Sequence, residues 1–315
     1  RYNELDNIRQ TIDFLNCELH VTETTTEGFF DRLGRLIAYH DAPVATITYY
    51  LHAALSEAIH AKGFKVAISG TAADEIFTGY YDHYAFWLAE MSGGQDFPRL
   101  LEDWRRSYGR HVRNPVLKDP LVFVKQPDRR DYIYLNAERF NGCLSYAFNE
   151  PFEEVLYTDN LLRNRMLNEL YHEAVPVILK EDDMNSMLVS VENRSPYLDR
   201  RLVEFLFTVP PEHLIHDGYA KYLLRAAGRS YVPEPVRLDR RKRGFNASID
   251  SLVERSDPET RELLLADSPI FEIVRREALE EFLTSDMTDN SFSKFLFSFV
   301  SARMFLDQQS AQPHL

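Results

Sequence analysis

Three stretches of this sequence place acids, cations and glycines where they could handle a phosphorylated ligand. The first is SGTAADEIFTGYY, residues 69–81, directly after the apolar run FKVAI at 64–68. In open α/β sheets ligands bind beyond the carboxyl ends of strands, so a turn at Ser69 and Gly70 presents backbone N–H groups there. Asp74 and Glu75 then fall on the first turn of the next helix, where a carboxylate can hold a magnesium ion against phosphate oxygens. Two acids at a helix start are also what the helix dipole favours with no ligand at all, and residue types do not separate the two readings.

The second stretch is DDMNSMLVSVENRSPYLDRR, 182–201. Pro196 separates an upstream helical segment from a helix beginning near Asp199, so Glu192, Asn193 and Arg194 are expected in or near a connection. Charged groups in an apolar context need partners. A structural Glu192–Arg194 or Asp183–Arg194 network tying two helices is the simpler reading, a catalytic pair the sharper one, and Asp199 reads as a helix cap. The third stretch, 218–245, holds Lys221 and Arg225 on one helix face and then Arg240, Arg241, Lys242 and Arg243, closed by Gly244 and Phe245. Such a concentration suits a small polyanion such as triphosphate. A solvated basic run is the bland alternative.

These residues must be positioned by a chain of 315 residues, 44% apolar and 27% charged, ample for a buried core in one large domain or two. Its formal charge of −13 argues against a nucleic-acid partner, which would need a basic stripe, and makes the basic cluster worth explaining. Two cysteines, Cys17 and Cys143, are too few for a disulfide framework or a thiolate metal site, and a cytoplasmic location is expected. No apolar run is long enough to span a bilayer and no signal peptide is visible, so no membrane partner is expected. The ten histidines show no metal-binding spacing.

Apolar spacing predicts a helix over 8–19 with Ile8, Ile12, Leu15 and Leu19 on one face, and a short strand in HVTET after it. Further helices are predicted over 29–39 and over 49–60, the latter with Leu51, Leu55 and Ile59 aligned. FKVAI reads as a buried strand, giving a parallel α/β sheet in the first part. From about Asp82 onward the pattern is helical with no convincing strand, and the helix in LDRRLVEFLFTVP carries Leu202, Phe205, Leu206 and Val209 before Pro210 stops it.

Taken together, the blocks resemble the synthetase domain of the asparagine synthetase family, the C-terminal, ATP-using half of glutamine-dependent amidotransferases. The family's strand-S-G-x-x-x-D-E-x-F-x-G-Y is matched by Ser69, Gly70, Asp74, Glu75, Phe77, Gly79 and Tyr80. Its D-x-N-S-M and V-E-x-R-x-P-(F/Y)-L-D are matched by Asp183, Asn185, Ser186, Met187, Val191, Glu192, Arg194, Pro196, Tyr197, Leu198 and Asp199. Its K-x-x-L-R and R-K-R-G-F are matched by Lys221–Arg225 and Arg241–Phe245, and YNE at 2–4 and HDAP at 40–43 resemble its Y-D-E and H-D-E-P.

The resemblance implies an ATP pyrophosphatase-like, adenine-nucleotide-binding α/β core over 1–81 followed by a mainly helical part over 82–315. It implies a ligase that adenylates a carboxylate with loss of pyrophosphate, then lets ammonia displace AMP. The expected cofactors are ATP and Mg2+. The expected partners are a small carboxylate acceptor and ammonia from a glutaminase domain upstream or in another chain; a homodimer is left open. By carry-over Ser69 and Gly70 line the adenosine side, Thr71, Glu75, Lys221 and Arg225 also belong to the nucleotide site, and Asp74 holds the metal. Lys242 is the catalytic lysine, and Glu192, Arg194, Lys221 and Arg225 support it.

Two positions depart from the pattern. Thr71 stands where many members carry Glu, and its hydroxyl is no general base at neutral pH, while Ala42 replaces the Glu of H-D-E-P. These put aspartate as acceptor in doubt and keep open a relative that amidates another carboxylate, such as a sugar uronate in bacterial surface-polysaccharide assembly. A non-catalytic nucleotide-binding relative is the alternative from a different class. One motif is a decoy: SGGQDF, 92–97, resembles the family's pyrophosphate loop S-G-G-x-D-S but follows YAFWLAEM as a helix end. The family's own loop precedes Y-D-E, so the loop, the first strands and any glutaminase domain are expected upstream of Arg1.

Overall fold

The computed structural model describes residues 4–311 apart from 24, 134–135, 149, 242–246 and 286–289. Helices α1 (Leu5–Leu15), α2 (Phe29–His40) and α3 (Ile47–Ala61) lead to strand β1 (Val66–Ile68), the short helix α4 (Ala73–Ile76), α5 (Tyr81–Met91) and α6 (Phe97–Arg106). After short helices α7 (Val122–Lys125) and α8 (Ala137–Asn141) come α9 (Leu161–Tyr171), α10 (Ala174–Met187) and strand β2 (Glu192–Arg194). Then α11 (Arg200–Thr208), α12 (Tyr222–Ala227), α13 (Glu234–Arg237), α14 (Pro258–Leu265), α15 (Arg276–Thr284) and α16 (Asn290–Ala311) complete the order. The class is therefore α/β, mostly helical with a small parallel sheet.

β1 pairs with β2 in parallel, Val66 opposite Glu192 and Ile68 opposite Arg194. This corrects two expectations. Residues 192–194 are a strand rather than a connection, formed because a partner far away in sequence satisfies their backbone. FKVAI is not buried either: Phe64, Val66 and Ile68 are 53%, 44% and 75% exposed, since among the described residues β1 has β2 on one side and no layer over its apolar face. No strand forms at residues 20–23 of HVTET; Thr24 lies outside the described residues.

α1 starts and ends earlier than predicted because Asn16 turns left-handed (φ 51°), and Ile8 and Leu15 stay exposed. α2 and α3 form where expected, yet α3 buries Tyr50, Leu51, Ala53 and Ala54 while Leu55 is exposed, so its core face is rotated from the predicted one. Likewise α11 buries Leu206 and leaves Phe205 exposed. SGGQDF ends a helix as read: Ser92 caps α5, Gly94 N–H donates to Met91 O at 3.0 Å, and Pro98 lies in the first turn of α6.

Three apolar clusters hold these elements. One packs α2 and α3 on α16 through Phe29, Leu33, Ile37, Tyr50, Phe297 and Val300. Another surrounds α5 with Tyr84, Phe86, Trp104, Tyr108 and Phe123. The third, Ala72, Ile76, Phe77, Leu170, Val175 and Leu206, pins α4 between α9 and α11 and so fixes the turn that carries Asp74 and Glu75. At about 1.5–3 kcal/mol for each large apolar side chain buried, that anchor outweighs the cost of ordering a four-residue helix. No helix among the described residues is long and apolar enough to cross a membrane.

Candidate active site

β1 delivers Ser69 to the carboxyl ends of the two strands, where its N–H donates to Arg194 O at 2.8 Å. Its hydroxyl donates to Thr71 Oγ1 at 3.0 Å and lies 3.1 Å from Ser195 Oγ, so three hydroxyls meet just beyond the sheet. Ala72 then turns left-handed (φ 72°) and starts α4. On its first turn the two acids diverge. Glu75 points inward, 2% exposed, and accepts a hydrogen bond from Tyr80 Oη at 2.6 Å. Burial, with Glu75 and Asp74 close by, pushes that phenol far above its ordinary range, so Tyr80 stays a donor.

Asp74 points the other way and meets Lys221 Nζ at 2.6 Å. Lys221 caps α12 in a left-handed conformation (φ 56°), which swings its side chain back towards α4. Gly79 is what allows the meeting: a Cβ there would lie 1.7 Å from Asp74 Oδ1 and 2.5 Å from Lys221 Cε.

Gly79 and Lys221 open into a cavity of about 380 Å3, within the usual range for small-molecule sites. Arg225, Arg240 and Arg241 line it together with Asp239 and Tyr108, and α1 closes one side with Asn7 and Thr11. Lys221 and Arg241 are paired with carboxylates, the latter with Asp239 at 2.7 Å, and this Arg241 contact is the main reason the Asp239 carboxyl sits well below its usual range. Arg225 and Arg240 are different: among the described residues neither makes an ion pair with a carboxylate. Arg225 Nε donates to Ala220 O at 2.8 Å and its Nη1 to Arg237 O, and burial lowers its pKa. Arg240 lies 3.9 Å over the Tyr219 ring and donates to Asp217 O at 3.3 Å. Such an arrangement can receive an anion, because main-chain dipoles and a ring face hold the guanidiniums without cancelling their charge.

Of the residues singled out in the sequence, Lys221, Arg225, Arg240 and Arg241 line one cavity, and Asp74 touches Lys221 without lining it. Ser69, Gly70 and Thr71 sit at the strand ends and do not line it. Glu192 and Arg194 pair with each other at 2.8 Å on the exposed side of β2, at 58% and 62% side-chain exposure, and do not line it either. Lys242 lies outside the described residues, as do Arg243, Gly244 and Phe245. Sequence reasoning missed the α1 wall and Tyr108, whose lone signals were an amphipathic helix and one aromatic among many.

The chain matches the Asparagine synthase family over residues 1–307. It is 25% identical over 315 residues to Asparagine synthetase [glutamine-hydrolyzing] 1 of Bacillus subtilis, covering 92% of this chain and 48% of that one. It is 30% identical over 186 residues to Asparagine synthetase [glutamine-hydrolyzing] 3 of the same organism, covering 56% and 25%. It is also 23% identical over 262 residues to Amidase chry2 of Gibberella zeae, covering 72% and 39%, so the chain spans less than half the length of these relatives. With the strand-end hydroxyls, the Asp74–Lys221 pair and the cationic cavity all falling in this shared region, the chain belongs to the asparagine synthase family.

Proposed function

We propose that this chain is the ATP-using part of an amide-forming ligase, in which a carboxylate is activated as its acyl adenylate and then taken by ammonia. The observation that carries the reading is the cavity beside Gly79, where Arg225 and Arg240 present charge with no carboxylate ion pair among the described residues of an acidic chain. In the first step a carboxylate oxygen attacks the α-phosphorus of ATP and pyrophosphate leaves. In the second, ammonia attacks the acyl carbon, AMP leaves with the C–O electron pair, and the nitrogen loses a proton. Adenylation serves because AMP is a far better leaving group than oxide.

Lys221 and the arginines bind the polyanion, and pre-placed cations of this kind stabilise charge as it develops. The residues also fit a magnesium ion. Asp74 is the carboxylate that would hold it, exchanging the Lys221 ammonium now 2.6 Å away for the metal, and Gly79 puts no Cβ in the way. When bound there with ATP, magnesium would supply charge neutralisation of the departing pyrophosphate. Lys242, by its motif, would follow charge onto the α-phosphate, and Glu75 with Tyr80 keeps the turn in place.

A second reading concerns the acceptor. Thr71 accepts a hydrogen bond from Ser69 where many members carry Glu, and one of the similar proteins is named an amidase rather than an asparagine synthetase. Both favour a carboxylate other than aspartate, a sugar uronate among them. The test is exchange of labelled pyrophosphate into ATP by the complete protein with a panel of carboxylates. Exchange that requires a carboxylate is expected. No exchange with any acceptor, or release of ADP instead of AMP, would overturn the reading.

A further inference from the structure

Behind the Asp74–Glu75 turn lies a cluster of buried charge that the cavity does not touch. His83 on α5 is fully buried, and its Nε2 lies 2.6 Å from Glu169 Oε2 on α9. Its Nδ1 has no hydrogen-bond partner among the described residues, so the ring is held from the Glu169 side. Arg165, one turn before Glu169, reaches Glu169 Oε1 at 3.2 Å, Asp82 Oδ2 at 3.6 Å and Glu154 Oε1 at 2.8 Å. Arg130 closes on Glu154 at 2.6 Å, and Tyr132 Oη donates to Asp82 at 2.8 Å.

The charges nearly balance. Two deeply buried carboxylates, Asp82 and Glu169, and the partly buried Glu154 face the guanidiniums of Arg130 and Arg165, and a protonated His83 supplies the third positive charge; Glu173, paired with Arg165, sits at the rim at 24% exposure. Burial opposes that proton, yet the Glu169 and Asp82 carboxylates outweigh burial and hold His83 above its ordinary value. Asp82, His83 and Glu169 have the chemistry of metal ligands and lie close together, but Arg165 already fills the place a cation would take.

Apolar packing would stabilise the same volume at least as well, so such a cluster earns its keep through the geometry it fixes. That geometry is Tyr80. Its ring stands edge-on to His83 at 5.2 Å, and its hydroxyl donates to Glu75 at 2.6 Å, next to Asp74 and its pair with Lys221. We propose that the His83–Glu169 pair, braced by Arg165, is a positioning element that holds Tyr80 and, through its hydrogen bond to Glu75, sets the Asp74 turn for nucleotide binding. This rests on the reading of that turn as part of the nucleotide site.

The test uses the complete protein with Glu169→Gln, Tyr80→Phe and the double variant. Amide hydrogen exchange over residues 73–80 without nucleotide reads the positioning directly, and the Mg-ATP dependence of pyrophosphate exchange reads its consequence. Each single variant is expected to speed amide exchange in 73–80 about tenfold while α16 keeps its protection, and to raise the KM for Mg-ATP about tenfold with a smaller change in kcat. The double variant is expected to be no worse than the worse single one, since both act through the same hydrogen bond. Unchanged protection of 73–80 in Tyr80→Phe, effects that multiply in the double variant, or a loss of protection spread evenly through α16 overturns the proposal. A parent with no pyrophosphate exchange overturns the ligase reading instead, and the amide data then decide the positioning alone.

Discussion

Gly79→Ala is the sharpest perturbation of the site because the structure states what the added methyl meets. The new Cβ would lie 1.7 Å from Asp74 Oδ1, 2.6 Å from Asp74 Cγ and 2.5 Å from Lys221 Cε, where ordinary contact begins near 3.4 Å. Asp74 is a short side chain on a turn pinned by Ile76 and Phe77, so its carboxylate must withdraw by about 1.7 Å, the difference between 1.7 and 3.4 Å, and Lys221 must move with it. Losing an ion pair at this partial exposure costs about 1 kcal/mol at most, and overpacking adds about 1–3 kcal/mol. The protein therefore stays folded, with a modestly lower melting temperature. Function is more sensitive, because a displacement of about 1 Å in a reacting constellation can cost about 10²-fold. Pyrophosphate exchange in the complete protein should fall by about that factor, with Mg-ATP affinity weakened and the far-ultraviolet circular dichroism unchanged. Exchange within threefold of the parent would refute the reasoning and move the phosphates away from Gly79.

Lys242→Ala should lower pyrophosphate release by about 10²–10³ without altering the fold, and Lys242→Arg should rescue poorly because a planar fork cannot occupy the same point; rates within a few-fold of the parent in both would remove Lys242 from the site. Arg225→Met should change stability by no more than about 1 kcal/mol, lost main-chain hydrogen bonds offsetting regained solvation, while weakening Mg-ATP at least about tenfold by calorimetry; equal affinity would contradict an anion at that guanidinium. Across a carboxylate panel some acceptor other than L-aspartate should release pyrophosphate fastest, and aspartate as clearly the best would make Thr71 a tolerated variation. His83 is held above its unfolded value of about 6.5, so its contribution to stability is complete below about pH 6.5 and is lost as pH rises through the raised value. The difference in urea midpoint between the parent and His83→Gln should therefore narrow as pH rises above about 6.5, and a constant gap would show that His83 does not carry that proton.

What was legible in the sequence followed local rules. The acids after Ser69 and Gly70 begin a helix, and SGGQDF ends one, because turn chemistry and caps are decided within a few residues. Glu192–Arg194 escaped because a three-residue charged strand has no apolar alternation, and what makes it a strand is pairing with Val66–Ile68. Leu55 and Phe205 fitted a helical stripe and still ended exposed, since which face is covered depends on the packed neighbour, α10 for α3 and α4 for α11, rather than on spacing. The buried cluster was the least visible. α5 is buried at every position from Asp82 to Leu88, so no polar face singles out Asp82 and His83, and their partners come from α9 and the segment around Glu154.

The two charge systems of this protein differ in how far their charges are matched. Around His83 almost every charge is matched: carboxylates meet arginines at hydrogen-bond distance, and the Glu169 and Asp82 carboxylates favour the proton on His83. A neutralised cluster projects little field and holds geometry. At the cavity the matching is left incomplete, since Arg225 and Arg240 are held by carbonyls and the Tyr219 ring instead of by acids. Keeping a desolvated guanidinium without an ion pair costs stability, and burial lowers the pKa of Arg225 against the pull of the nearby Asp239 carboxylate. Under the proposed function that cost would be recovered by the nucleotide, because attraction to charge that is not already cancelled is stronger in a confined, partly desolvated cavity than at an open surface. In a chain whose formal charge is −13, guanidiniums without a carboxylate partner at a cavity are what the proposed nucleotide site requires.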